Sequence, residues 1–308
     1  MLSRGPKPDN KQVSAIPDNR APSVGCLFSV QQLMEHLNDR DLRLFDCRFS
    51  LFNSKMGRSS YLEEHIPGAS YVDLEEDLSG LVTLQTGRHP LPETSQFVVR
   101  MGNLGVGRDT LVIAYDDGTG AQAVRLWWLM RWLGHQNVVV LDGGLKIWKE
   151  HGGELCSGKE FYAQAGSMPI DSGFRWVNAE EVTDVIAAGS GLVVDAREKE
   201  RFLGYKEPLD RIAGHIPGSL NRPFLENLDG AIFKSPELLR SEFETLLAGY
   251  RAADVIHSCG SGVTACHNLL AMEYCGLSGS RLYAGSWSDW ITVPTRPIVG
   301  KSGGPSPV

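Results

Sequence analysis

Short apolar runs that close on an acidic residue or a glycine recur along the chain, separated by stretches whose apolar residues fall at helical spacing. A strand-helix pattern over Phe28 to Leu37 leads to Leu42 to Arg48, an apolar run ending in Asp46. Thr110 to Gly118 opens with a branched apolar run of the kind that forms a strand buried on both faces of a parallel sheet. A helix is expected next, with Val124, Leu126, Trp127, Leu129, Met130 and Leu133 on its buried side, and then the strand Val138 to Leu141 running into Asp142, Gly143 and Gly144. Strand, turn, helix, strand is the order of an α/β layer.

The second half repeats the first. Leu192 to Arg197 answers Leu44 to Arg48, His215-Ile216-Pro217-Gly218 answers His65-Ile66-Pro67-Gly68, Val255 to Cys259 answers Val112 to Asp116, and Trp290 answers Trp148. The lag stays within about 142 to 150 residues across these landmarks, as expected of a duplicated domain. The expected organisation is a disordered tail at 1–23, an α/β domain at 24–152, a Gly-, Ser- and Pro-rich linker at 153–174, a second α/β domain at 175–292 and a C-terminal tail at 293–308. Each domain should hold a mainly parallel sheet with helices on both faces.

Composition changes this picture little. With 308 residues, 42% hydrophobic and 22% charged, the chain is ordinary globular material that buries a core without staples. Its six cysteines show no framework spacing and read as the reduced thiols of a cytoplasmic protein. The first 23 residues lack the apolar core of a signal peptide, and no window is apolar enough for a membrane span. A net charge of −7 argues against a nucleic-acid partner, so any anionic substrate must be drawn by local arginines.

The chemistry concentrates at Cys259, where an apolar run delivers a cysteine into Gly260-Ser261-Gly262-Val263-Thr264 and then into a helix. Backbone N–H groups at a helix start have no intrahelical partners, and with the helix dipole they favour a thiolate and cradle an anion over it. A lone buried cysteine is ordinarily packing, but the glycines on this loop have no packing purpose. The repeat supplies an internal control, since the first half has Asp116 where the second has Cys259. One active and one supporting domain would produce that asymmetry. Cys266, two helical turns beyond Cys259, reads as core rather than as a resolving thiol. Cys259, Cys266, His267 and Cys275 lack paired zinc spacing, so no metal is expected. Trp287 and Trp290 suit core packing or a wall of the site.

These landmarks resemble the tandem-domain rhodanese family, and Cys259 to Thr264 looks like the active loop of 3-mercaptopyruvate sulfurtransferases. The resemblance covers about Gly25 to Trp290. It implies two rhodanese-like domains and an enzyme that carries sulfur as a Cys259 persulfide, with no cofactor. The neutral Gly260 and Ser261 favour 3-mercaptopyruvate as donor, and the acceptor would be a thiol, thioredoxin or cyanide. Alternatives are thiosulfate:cyanide sulfurtransfer in the same pocket, or a sulfur-relay module fed by a protein. Related phosphatases place an arginine six residues after the nucleophile, where this chain has Ala265.

The resemblance also assigns roles. Gly260, Gly262, Val263 and Thr264 would bind through backbone N–H groups, with the hydroxyls of Ser261 and Thr264 near the sulfur or capping the helix. Arg201 would grip the donor carboxylate. Relatives carry a second arginine nine residues later; this chain has Asp210 there and Arg211 next to it, so Arg211 is the expected second cation, with a solvated surface role as the alternative. Asp195 and His215 recur in the inactive half, which argues for structure, whereas His65 could face the site across the interface as a proton-transfer group or be a satisfied structural histidine.

Overall fold

Ser29 and Asn178 open the two halves in the same way. Each caps a helix, accepting the backbone N–H of Gln32 or Glu181, whose side chain returns to the cap's own N–H. The computed structural model describes residues 25–164, 168, 170–171 and 173–300. The proposed disordered tail at 1–23 lies outside the described residues.

In the first half the strands are β1 (Leu27–Phe28), β2 (Leu42–Asp46), β3 (Ala69–Tyr71), β4 (Leu111–Tyr115) and β5 (Val138–Leu141). The helices are α1 (Val30–His36), α2 (Lys55–Glu63), α3 (Thr94–Asn103), α4 (Ala123–Trp132) and α5 (Gly144–Glu150). The second half contributes β6 (Trp176–Val177), β7 (Leu192–Asp195), β8 (Leu220–Asn221), the hairpin strands β9 (Leu228–Asp229) and β10 (Ile232–Phe233), β11 (Val255–Ser258) and β12 (Arg281–Tyr283). Its helices are α6 (Ala179–Ala188), α7 (Lys199–Phe202), α8 (Pro236–Leu247), α9 (Ala265–Tyr274) and α10 (Ser286–Trp290). The sheets run β1-β5-β4-β2-β3 and β6-β12-β11-β7-β8, an identical order, and every neighbouring pair in both is parallel. The two-domain α/β expectation holds.

The repeated landmarks are structural. Arg48 closes a pair with Asp46 and donates to Glu64 O; Arg197 does the same with Asp195 and Gly214 O. His65 and His215 each bond through Nδ1 to a carbonyl, Tyr61 O and Phe202 O, and stack on that residue's ring.

One of the buried cores spans both halves. α4 and α9 pack against each other, and a single cluster of buried side chains runs from Trp127 and Leu126 through Leu269, Leu270 and Cys266. For this reason α4 is buried on all sides from Ala123 to Met130, not on one stripe: its own sheet covers one side and the other domain the rest. The connection between the halves is strapped to the first, with Cys156 bridging His65 and Phe174 N donating to Arg131 O. Residues 293–300 likewise return to the second half, where Val299 bridges His215 and Pro297 O accepts the Trp290 indole N–H. This described part of the expected C-terminal tail is therefore packed. Among the described residues no helix is long and apolar enough to cross a membrane.

Candidate active site

β11 is the central strand of the second sheet, and Cys259 follows its last residue, at the carboxyl end where α/β sheets collect ligands. The thiol is buried, and its own N–H donates to Ser286 Oγ at 3.0 Å. Gly262 has φ +76°, and a Cβ there would stand 2.2 Å from Ala284 O, so this turn requires glycine. The N–H groups of Gly260, Ser261, Gly262, Val263 and Thr264 have no hydrogen-bond partner among the described residues. Thr264 precedes α9 but makes no side-chain cap. The loop is therefore bounded by free donors, as the sequence pattern leads one to expect.

The loop opens on a cavity of about 380 Å³ between the halves, lined by Leu74, Arg88 and His89 from the first and by Arg201, Cys259 and Ser261 from the second. Ser261 Oγ and His89 Nδ1 share a hydrogen bond of 2.7 Å. Burial, with Arg125 and Arg88 nearby, pushes the His89 imidazole down to about 3, so the ring is neutral at physiological pH. Arg201 lines the cavity and pairs with Glu207 at 2.7 Å and Asp210 at 3.3 Å. Asp210 also accepts from Arg88, reaching across from the other domain.

Two expected site residues lie elsewhere. His65 does not line the cavity: β-bridging to Cys156 and stacking on Tyr61 hold it outside, with Nε2 3.1 Å from Cys156 Sγ. His89 stands at the loop in its place. Ligating atoms of His65, Cys156 and Glu160 lie within 4.8 Å of one another, away from Cys259. Arg211 is also outside the cavity; its guanidinium donates to Ile291 O. Arg88, paired with Asp210, lines the cleft where that cation was expected. Cys266 is core, as expected, and burial pushes its thiol up to about 12. Trp287 and Trp290 pack in the second domain's core, their indoles donating to Ile212 O and Pro297 O.

Beneath the loop lies Arg125 of α4, fully buried. It donates to Gly262 O at 3.0 Å, His89 O at 3.1 Å, Pro90 O at 3.3 Å and Leu78 O at 3.4 Å. One side chain thus ties the Cys259 loop to the segment carrying His89.

Residues 29–151 and 178–292 each match the family model described as a rhodanese-like domain. Over 276 residues the chain is 43% identical to a Pseudomonas aeruginosa protein named probable 3-mercaptopyruvate sulfurtransferase, covering 88% of this chain and 97% of that one. It is 35% identical over 271 residues to thiosulfate sulfurtransferase of Rattus norvegicus, with 85% and 90% covered. Among solved structures, SseA from Escherichia coli, described as a 3-mercaptopyruvate sulfotransferase of the rhodanese fold, superposes with a TM-score of 0.75. It is 31% identical, with 86% of this chain and 100% of that one covered. With two matching domains and relatives of this identity along nearly their whole length, the chain belongs to the rhodanese family as a two-domain sulfurtransferase.

Proposed function

We propose that the protein takes the thiol sulfur of 3-mercaptopyruvate onto Cys259 and releases pyruvate. The Cys259 thiolate attacks the donor sulfur, and the new S–S bond forms as the donor's C–S bond breaks. The electron pair stays on carbon as the enolate of pyruvate, which takes up the proton that the donor thiol gives up. A thiol, reduced thioredoxin or cyanide then attacks the outer sulfur and regenerates Cys259.

The observation that carries this reading is the loop itself: free N–H groups around a buried cysteine, with a Ser261–His89 pair beside it and Arg201 within the same cavity. Free N–H groups stabilise a persulfide anion without adding charge. The Ser261 hydroxyl, bonded to a neutral imidazole, can pass the proton that the enolate needs. Arg201 supplies a cation for the donor's carboxylate.

Thiosulfate is the second reading, favoured by one observation: the cleft contains Arg88 as well as Arg201, which suits a dianion. Intact-mass measurement after mixing with each donor separates the two. The expected result is a gain of one sulfur from 3-mercaptopyruvate that is absent in Cys259→Ser. A gain from thiosulfate alone would exchange the donor assignment, and a gain from neither would leave a relay that receives sulfur from a protein.

A further inference from the structure

We infer that Arg88, carried by the first domain, is the second anion-binding group of the Cys259 site and forms with Arg201 a split guanidinium fork for the donor's carboxylate.

A carboxylate is best held by two parallel N–H donors, which a single arginine offers along one edge. Arg201 cannot offer its Nε edge, because Glu207 accepts from Nε at 3.1 Å and from Nη2 at 2.7 Å, and Asp210 also accepts from Nη2. Its Nη1 has no partner among the described residues. Arg88 is engaged at Nη1, by Asp210, while Nη2 and the buried Nε have no partner among the described residues. The free ends meet. A Cβ placed on Gly260 would lie 2.9 Å from Arg88 Nη2 and 3.6 and 3.7 Å from Arg201 Nη2 and Nη1. Two guanidinium groups from two domains therefore converge on the residue next to the nucleophile, each with a donor to spare.

The neighbouring groups leave the same two donors over. Asp210, bonded to both arginines, and Glu207, bonded to Arg201, hold the fork from one side. Arg197, also in the cavity wall, is consumed by Asp195 and Glu207. Lys206 lines the same cavity from an exposed position. Among the cavity's guanidinium groups, Arg88 is the one that can complete what Arg201 begins. The inference rests on the donor being anionic, as both proposed donors are.

The test compares two alkylating reagents on the full-length chain. Iodoacetate carries a carboxylate on its reactive carbon, whereas iodoacetamide has nearly the same shape without the charge. Rates of Cys259 modification are read by intact mass, with Cys259→Ser as the blank. Arg88→Gln is expected to lower the iodoacetate-to-iodoacetamide rate ratio about tenfold, with the iodoacetamide rate itself unchanged. It should raise KM about tenfold for whichever donor loads the wild type, with kcat nearly constant. Arg88→Lys, which keeps the charge but loses the planar donor, should fall between. An unchanged ratio would mean that the carboxylate is held without Arg88, and equal slowing of both reagents would mean that Arg88 only supports the loop. Either result overturns the inference. Should no donor load the wild type, the proposed function fails, while the reagent ratio still decides the role of Arg88.

Discussion

Asp116 and Cys259 stand at equivalent positions, each just past the central strand of its sheet, and the carboxylate of Asp116 fills the cradle of its own loop. It accepts from the N–H groups of Gly118, Gly120, Gln122 and Ala123 at 2.9 to 3.4 Å. The first domain thus shows what this loop binds: an anion supplied there by the chain itself and expected from a persulfide in the second. Asp116→Ala leaves those donors without their acceptor in a buried turn. Urea denaturation should report a loss of about 3 kcal/mol; a loss under about 1 kcal/mol would show that the donors find other partners.

Ser261 and His89 are expected to act as one unit, because their hydrogen bond joins a hydroxyl beside the nucleophile to a neutral ring from the other domain. Ser261→Ala and His89→Ala should each lower kcat about a hundredfold. The double variant should be hardly slower than either single one, as for groups in a shared relay. Multiplying effects would show independent roles. Cys259 alkylation by iodoacetamide checks that the thiol stays reachable in all three.

Much of this architecture is legible in the sequence because duplication writes each landmark twice. Asp46 and Asp195, with Arg48 and Arg197, are readable as structure for that reason, and Cys259 stands out as the candidate nucleophile because Asp116 breaks the symmetry. The same reasoning, carried further, separates the two histidines: His65 has a counterpart in His215 and is structural, whereas His89 has none among the repeated landmarks. Arg88 and His89 sit in an irregular segment between β3 and α3, where neither periodicity nor spacing marks a residue, and their approach to the loop depends on how the domains pack. Arg211 is misleading for a related reason. Its place in the chain suits the cleft, but its side chain is taken up by a carbonyl beyond α10.

Arg211→Ala should accordingly leave KM for the donor unchanged and cost about 1 kcal/mol of stability, the usual worth of one hydrogen bond to a backbone carbonyl. Steady-state kinetics beside thermal melting separates the outcomes. A rise in KM without a fall in Tm would return Arg211 to the site.

Three buried histidines contribute to the acid limit. Burial pushes His89 and His257 down to about 3 and His267 to about 4. In the unfolded chain each regains an ordinary value of about 6.5, so below that pH the unfolded state binds more protons. The stability they contribute is complete above about pH 6.5 and is lost as pH falls toward the folded values, each group adding up to about 1.4 kcal/mol per pH unit. Neither ring nitrogen of His257 has a hydrogen-bond partner among the described residues. His257→Leu should therefore flatten the acid limb of a urea-denaturation series by about one such slope. An unaltered slope would place the proton uptake elsewhere.

Arg125 makes the strongest demand on the two-domain arrangement. Its guanidinium is fully buried, and the partners it bonds are carbonyls: Gly262 in the nucleophile loop, His89 and Pro90 in the segment that faces it, and Leu78. Carbonyl dipoles satisfy its donors without cancelling its charge, so the cation is available to the anion proposed at Cys259 while fixing the loop against the first domain. Arg125→Met fills most of the volume but strands those carbonyls and removes the charge. Truncating one member of a buried charged network costs about 3 to 5 kcal/mol, and the urea midpoint should fall accordingly. Activity should fall further than stability explains: at a urea-free temperature where the variant is folded by circular dichroism, kcat should drop about tenfold or more, because Ser261 and His89 lose their common support. A folded Arg125→Met with wild-type kcat would show that domain packing alone holds the two segments in place.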